Sequence, residues 1–312
     1  MEESVKTTPV TPNDLARSVI AVPPLARRAD LAINDEANRA LVAHMKAGGV
    51  GTFLYGGNAN FYNIGLYEYA RILDALTEWV GTDDLVIPSA GPAYGTLMDQ
   101  AEILRERAFP TAMVLPATFA ATPAGVMTGI RRFADRFGRP VVLYIKSETY
   151  LSPMDATALV DDGIVSFVKY AIVRKNPADD AFLSDLVERV DRRMIVSGMG
   201  EQPAPVHLKA FGLQGFTSGL VCTAPTASTA LLRALQSGDD ARTERILSAF
   251  RELEDLRDRI NPIRVLHEAV SLSGIADMGP MLPYLSGLEA HDRTRVERTV
   301  RQLITVQATQ AK

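Results

Sequence analysis

The chain is 312 residues long, 47% of them hydrophobic and 22% charged, with a formal charge of −4. This is the mixture of a water-soluble globular protein with a large core, and Lys and Arg spread along its whole length exclude the concentrated basic face that nucleic acid or an anionic membrane would need. The polar, acidic opening MEESVKTTPVTPNDLARS lacks the basic start and apolar run of a secretory leader, and no apolar stretch approaches the roughly 18 residues of a membrane span, so a soluble cytoplasmic protein is expected.

Residues 1–17, rich in Thr and Pro, read as a loosely held arm. From residue 18 onward short β-branched or apolar runs precede amphipathic stretches of about 12 to 15 residues, the pattern of parallel βα units. The runs are SVIAV at 18–22, VGTFLY at 50–55, DLVIP at 84–88, TAMVL at 111–115, PVVLYI at 140–145, IVSFVK at 164–169, RMIVSG at 193–198 and GFTSG at 215–219. Eight units favour a closed ring over an open doubly wound sheet, so an α/β fold, a (β/α)₈ TIM barrel over 18–237, is expected.

The stretches between the runs have helical spacing. In LYEYARILDALTEWV, residues Leu66, Tyr69, Ile72, Leu73 and Leu76 recur at three- and four-residue steps and make one apolar face. Gly48 and Gly49 close the preceding helix, where a residue with positive φ is often needed. Beyond residue 238 only helical patterns remain: DDARTERILSAFRELEDLRDRI, PIRVLHEAVSLSG and HDRTRVERTVRQLI. Asp239 and Asp240 are acids suited to a helix N-terminus and Pro262 suits a first turn, so 238–312 reads as a C-terminal three-helix extension.

In such a barrel the chemistry lies at the C-terminal ends of the strands. The period of two puts Val165, Phe167 and Lys169 on one face of the sixth strand, and Val142 and Tyr144 on one face of the fifth. If those faces point inward, apolar walls disfavour the ammonium form of Lys169 and make it a nucleophile near neutral pH; otherwise the lysine snorkels to solvent and Tyr144 is a core aromatic. The loop GGNAN at 56–60 offers uncovered N–H groups at Gly56 and Gly57, either a nest for a carboxylate or a plain turn. Gly198-Met199-Gly200 after the seventh strand, and Gly215 with Gly219 around the eighth, lie where many barrels bind phosphate, although close backbone packing would ask for the same glycines.

Other chemistries find little support. His44, His207, His267 and His291 have no metal-ligand spacing, there is no phosphate-binding Walker loop or GxSxG elbow, and the GxG of SGMGE lacks the third glycine of a dinucleotide fingerprint. The single cysteine, Cys222, sits in the apolar context GLVCTAP and reads as a buried small hydrophobe.

Taken together, the glycine-rich loop after strand two, the tyrosine of PVVLY, the lysine of GIVSFVK, the Gly-x-Gly, the GLQGFTSG strand and NPIRVLHEAVSLSGI resemble the dihydrodipicolinate synthase and N-acetylneuraminate lyase family of class I aldolases over about residues 18–290. The resemblance implies Lys169 as Schiff-base nucleophile and Tyr144 as proton shuttle. It implies Gly56, Gly57 and Asn58 as carboxylate holders where relatives have paired threonines, with the Asn58 amide standing in for a hydroxyl. Lys146, Gly200 and Thr217 are further candidates for substrate binding.

Two departures concern the substrate. Thr118 in PATFA takes the place of a tyrosine that reaches across a subunit boundary in dihydrodipicolinate synthases, and Thr149 takes that of their arginine, while Lys146 and Glu148 are new charges at the same rim. The expected activity is therefore an aldolase or dehydratase acting on pyruvate or a related small-molecule 2-keto acid, with no metal or organic cofactor and no nucleic-acid or membrane partner. A true dihydrodipicolinate synthase and a non-catalytic ligand-binding barrel are the alternatives. By analogy the protein is a homotetramer or homodimer, with each site drawing its hydroxyl relay from its own chain.

Overall fold

The computed structural model describes residues 8–310. Residues 1–7 of the expected arm and the last two of the expected extension lie outside them. The strands are β1 (Ile20–Ala21), β2 (Thr52–Leu54), β3 (Leu85–Ile87), β4 (Ser89–Ala90), β5 (Met113–Val114), β6 (Val141–Ile145), β7 (Val165–Tyr170), β8 (Ile195–Ser197) and β9 (Thr217–Ser218). They pair in parallel in the orders β3-β2-β1-β9 and β4-β5-β6-β7-β8.

Two seams join these sheets into a ring. DLVIP, expected as one strand, holds β3 and ends at Pro88, which has no N–H for the ladder but whose carbonyl accepts from Met113 N at 2.8 Å, and β4 follows directly in the second sheet. At the other seam Ser197 bridges to Phe216 and donates its N–H to Gly215 O at 3.0 Å. The expected (β/α)₈ barrel with a C-terminal helical extension is thus observed.

The helices of the barrel are α1 (Pro12–Ala16), α2 (Asp35–Ala47), α3 (Leu66–Val80), α4 (Tyr94–Arg105), α5 (Pro123–Phe137), α6 (Pro153–Asp161), α7 (Ala181–Arg189), α8 (Ala204–Phe211) and α9 (Pro225–Ser237). After them come α10 (Asp240–Ile260), α11 (Pro262–Leu272) and α12 (Ala290–Gln310). Asp239 accepts from Arg242 N at the start of α10, and Asn261 accepts from Ile263 N and Arg264 N at the start of α11, with Pro262 in its first turn. Gly49 has φ +90°, as expected where α2 gives way to the next strand. Tyr69, Ile72, Leu73 and Leu76 of α3 are buried, but Leu66 is exposed because it occupies the first turn of its helix.

Part of the arm expected to be loose is ordered. α1 is closed by a capping box in which Thr11 and Asp14 satisfy each other's backbone N–H groups, and Leu15 is fully buried. A Cβ on Gly215 would collide with Leu15 O, and Thr52 Oγ1 lies 3.5 Å from Asp14 O. These contacts sit at the N-terminal ends of β2 and β9, so α1 packs on the barrel floor, opposite the end where chemistry is expected. Cys222 is free and buried, as its apolar setting implies.

Candidate active site

The register of β6 on β7 sets Tyr144 beside Lys169, and that of β7 on β8 sets Lys169 beside Val196. Lys169 is 4% exposed and its Nζ lies 3.8 Å from the centroid of the Tyr144 ring, a cation–π distance. The barrel therefore brings together the two side chains that sequence singled out. Burial, reinforced by the positive charges of Lys146 and Arg257, lowers the Lys169 pKa to about 7, so a large fraction of the amine is neutral at physiological pH. Burial also raises the pKa of Tyr144, which is held as the neutral phenol. Neither Lys169 Nζ nor Tyr144 Oη is committed to a hydrogen bond among the described residues.

The backbone leaves room for this pair at Gly198. A Cβ there would stand 2.7 Å from Tyr170 O and 3.0 Å from Lys169 Cγ, so glycine is the residue that lets the loop after β8 cross the lysine stem. On the outer face of β7 the Tyr170 hydroxyl donates to Asp180, which also takes Arg174 at 2.9 Å, and Arg174 reaches Glu148 at 2.5 Å. Glu148 is therefore engaged in an ion pair at the rim.

GGNAN closes β2. Gly57–Ala59 is a 3₁₀ turn with no side chain capping its start. A Cβ on Gly56 would press on Met113 Cε at 2.6 Å and Ser89 Oγ at 3.0 Å, so this glycine serves packing as well as access. Asn58 donates its side-chain N–H to Val22 O at 2.9 Å, tying the loop to the end of β1. That amide is engaged in holding the loop, leaving Oδ1 as the atom to face a ligand.

Lys146 is exposed, with Nζ 5.9 Å from the Tyr144 ring centroid, and partial desolvation lowers its pKa. With Thr118, Ser147, Thr149 and Tyr150 it lines a cavity of about 230 Å³. A larger cavity of about 940 Å³ shares Thr118 and Tyr150 and runs past Tyr94 and Phe119. Neither is lined by Lys169 or Tyr144. Thr217 is buried within β9, its carbonyl accepting from Gly200 N at 3.1 Å.

Three charged residues at this end of the barrel carry no signal in the sequence. Glu254 of α10 accepts from Glu201 N at 2.9 Å and Gln202 N at 2.8 Å, the N–H groups with which the loop after β8 would otherwise hold a phosphate. Arg257 reaches Glu254 at 3.1 Å and Met199 O at 2.9 Å, and Glu201 accepts from Ser218 Oγ at 2.5 Å and Ser228 Oγ at 2.6 Å. Burial and the adjacent Glu201 raise Glu254 to about 8, against the pull of Arg257. Within RELEDLRDRI, Glu254 and Arg257 have the spacing of an ordinary solvated helix face, which is why they pass unnoticed. Among the described residues no group of three or more His, Cys, Asp or Glu side chains is placed to hold a metal ion.

No family model matches the chain. Among curated proteins, a probable 5-dehydro-4-deoxyglucarate dehydratase from Streptomyces avermitilis is 26% identical over 281 residues, covering 84% of this chain and 86% of that protein. A counterpart from Streptomyces coelicolor is 25% identical over 287 residues, covering 84% and 85%. Among solved structures, dihydrodipicolinate synthase from Oceanobacillus iheyensis superposes with a TM-score of 0.84 at 21% identity, covering 94% of this chain and 98% of that one. The sialic acid aldolase of Ruminococcus gnavus gives 0.82 at 13% identity, covering 94% and 99%. At these identities the structural likeness establishes the fold.

Proposed function

We propose that the chain, a divergent relative of the dihydrodipicolinate synthase and N-acetylneuraminate lyase family, is a lyase forming a Schiff base between Lys169 and a 2-keto acid. The observation that carries this reading is the buried Lys169 amine, with its pKa near 7, set against the Tyr144 ring. An amine in that state attacks a carbonyl without prior loss of a proton.

Lys169 Nζ adds to the keto carbon C2, and a proton passes from nitrogen to oxygen to give the carbinolamine. Tyr144 gives its phenolic proton to the departing oxygen, which leaves as water, and the products are an iminium and a phenolate. The phenolate then removes a proton from C3; the electron pair of that C–H bond becomes the C2=C3 double bond and the C=N π pair passes to nitrogen, giving the enamine. From the iminium, the phenolate takes the proton of a C4 hydroxyl as C3–C4 breaks, giving a carbonyl at C4 and the enamine, an aldol cleavage; from the enamine, a C4 hydroxyl leaves as water with the proton now on Tyr144, regenerating an iminium, a dehydration. The N–H groups at the start of the Gly57–Ala59 turn, with Gly56 and Asn58 beside them, are assigned to the keto-acid carboxylate, and Gly200 and Thr217 to the far wall.

The charges beside the site favour an acidic substrate. Lys146 and Arg257 both act on Lys169 as positive neighbours, and a second anionic group on the substrate would relieve that repulsion. The curated relatives are named as dehydratases of a sugar diacid derivative, which places that compound class first for assay. Thr149, where an aspartate-semialdehyde enzyme carries an arginine, hydrogen-bonds Ser147 at 2.8 Å and brings no positive charge.

The same reading makes the protein a cytoplasmic homodimer or homotetramer without a cofactor. No helix of the described residues is long and apolar enough to cross a membrane. Reduction with borohydride in the presence of pyruvate tests the chemistry. A reduced pyruvyl adduct at Lys169 is expected, and no adduct at saturating pyruvate, or one at another lysine, would refute the mechanism.

A further inference from the structure

Lys146 follows directly on β6, two residues beyond Tyr144. Its Nζ stands 5.9 Å from the centroid of the Tyr144 ring, against which Lys169 Nζ rests at 3.8 Å. The two amines address one ring, so the gap between them cannot exceed the sum of those distances. A substrate joined to Lys169 at its keto carbon therefore has a second cation within reach of its far end. The Gly57–Ala59 turn assigned to the C1 carboxylate follows β2 in one sheet, whereas Lys146 follows β6 in the other, so the two ends of such a substrate face different sides of the barrel mouth.

The charges around Lys146 leave it for a ligand. Glu148, two residues on, is drawn off to Arg174, which also holds the buried Asp180. Arg257 is committed to Glu254, Asp258 and Met199 O. Lys146 itself has no hydrogen bond or ion pair among the described residues. With Thr118, Thr122, Ser147, Thr149 and Tyr150 it lines the cavity of about 230 Å³, and no acidic side chain lines it with them. A cation among hydroxyl groups, with no carboxylate to neutralise it, is complementary to an anionic and hydroxylated group. The cavity is smaller than the roughly 300–1,000 Å³ of sites that enclose a drug-sized ligand, so it suits the end of a short chain.

The length of that chain follows from the same distances. Four extended C–C bonds carry C2 to C6 over roughly 5 Å, and a C–N bond at one end with an ionic hydrogen bond of about 2.8 Å at the other completes the span between two nitrogens. An extended six-carbon chain fills the largest gap that the ring allows, and a five-carbon chain a slightly shorter one.

Building on the Schiff-base reading, we propose that Lys146 and the hydroxyl-lined cavity beside it form the subsite for a second carboxylate, at the far end of a five- or six-carbon hydroxylated 2-keto diacid. The contact is an ion pair in which no bond of the substrate breaks, so Lys146 selects the substrate and leaves the chemistry to Lys169 and Tyr144. The names of the curated relatives, dehydratases of a sugar diacid derivative, agree with this class without entering the geometry.

Borohydride trapping at Lys169 across concentrations of 2-oxoadipate and 2-oxohexanoate tests the subsite. The two acids share length and keto group and differ by the terminal carboxylate, and the ratio of their half-saturating concentrations cancels any change in Lys169 itself. In the parent the diacid should half-saturate at a concentration about 10-fold lower, or more, than the monoacid. Lys146→Met should bring the two values together, and Lys146→Arg, which keeps the charge, should retain most of the preference. Equal values in the parent, a preference that survives in Lys146→Met, or trapping of pyruvate but of neither longer acid would overturn the subsite alone. Failure of the parent to trap pyruvate at Lys169 would overturn the subsite together with the Schiff-base reading.

Discussion

Lys169 Nζ rests 3.8 Å from the centroid of the Tyr144 ring, on adjacent strands and in direct register. The aromatic face offers the lysine an electrostatic partner that carries no formal negative charge. A carboxylate in that place would stabilise the ammonium and raise its pKa; the ring leaves burial dominant and the amine about half neutral near pH 7.

Iminium formation should accordingly follow deprotonation of Lys169, rising as pH increases through about 7 and levelling above it. Lys146 is one of the two positive neighbours that depress this pKa. Replacing it by Met removes a like charge, favours the ammonium form of Lys169 and should move the acid limb upward by up to about one unit. The pH profile of borohydride trapping with pyruvate measures both, and an unmoved limb in Lys146→Met would refute the coupling.

Tyr144→Phe should leave the fold intact, since a hydroxyl alone is lost. It should slow deuterium wash-in to pyruvate by about 10²–10⁴-fold if the phenol is the acid–base group. The lysine keeps an aromatic face beneath it, so its acid limb should stay near pH 7. Exchange within a few-fold of the parent would make Tyr144 a packing residue.

Lys169→Met should abolish trapping and raise stability. The folded pKa of this lysine, about 7, lies below its unfolded value, so between these the unfolded chain binds more protons and the parent gains stability as pH rises. The penalty is fully present below pH 7 and fades toward the unfolded pKa. Urea unfolding should therefore show Lys169→Met ahead by on the order of 1–3 kcal/mol at pH 7 and by progressively less at alkaline pH. A variant less stable than the parent at pH 7 would contradict the buried-amine account.

Gly200→Ala should cost about 2 kcal/mol or more. Gly200 has φ +101°, and a Cβ there would overlap Glu254 Oε1 and stand 2.6 Å from Arg257 Nη1. The substitution strains the backbone and displaces the ion pair that anchors the loop after β8. Denaturant unfolding would detect the loss, and a change below about 0.5 kcal/mol would show that the loop relaxes freely.

Sedimentation at micromolar concentration should show a dimer or tetramer. A monomer would refute the assembly proposed by analogy.

The eight apolar runs and the helical spacing between them were legible in the sequence because burial on a sheet or a helix imposes a local period on neighbouring residues. The same alternation placed Tyr144 and Lys169 at strand ends on one face. It could not show the change of sheet at Pro88, between β3 and β4, nor the packing of Leu15 on the barrel floor, since both depend on partners far along the chain. The distance between lysine and ring, the loss of the Asn58 amide to Val22 and the seating of Glu254 beneath Gly200 were decided by tertiary structure alone. These relations join residues 25 to 54 positions apart only when the barrel closes, and the lysine's acidity follows from that closure, because desolvation depends on everything that surrounds the amine.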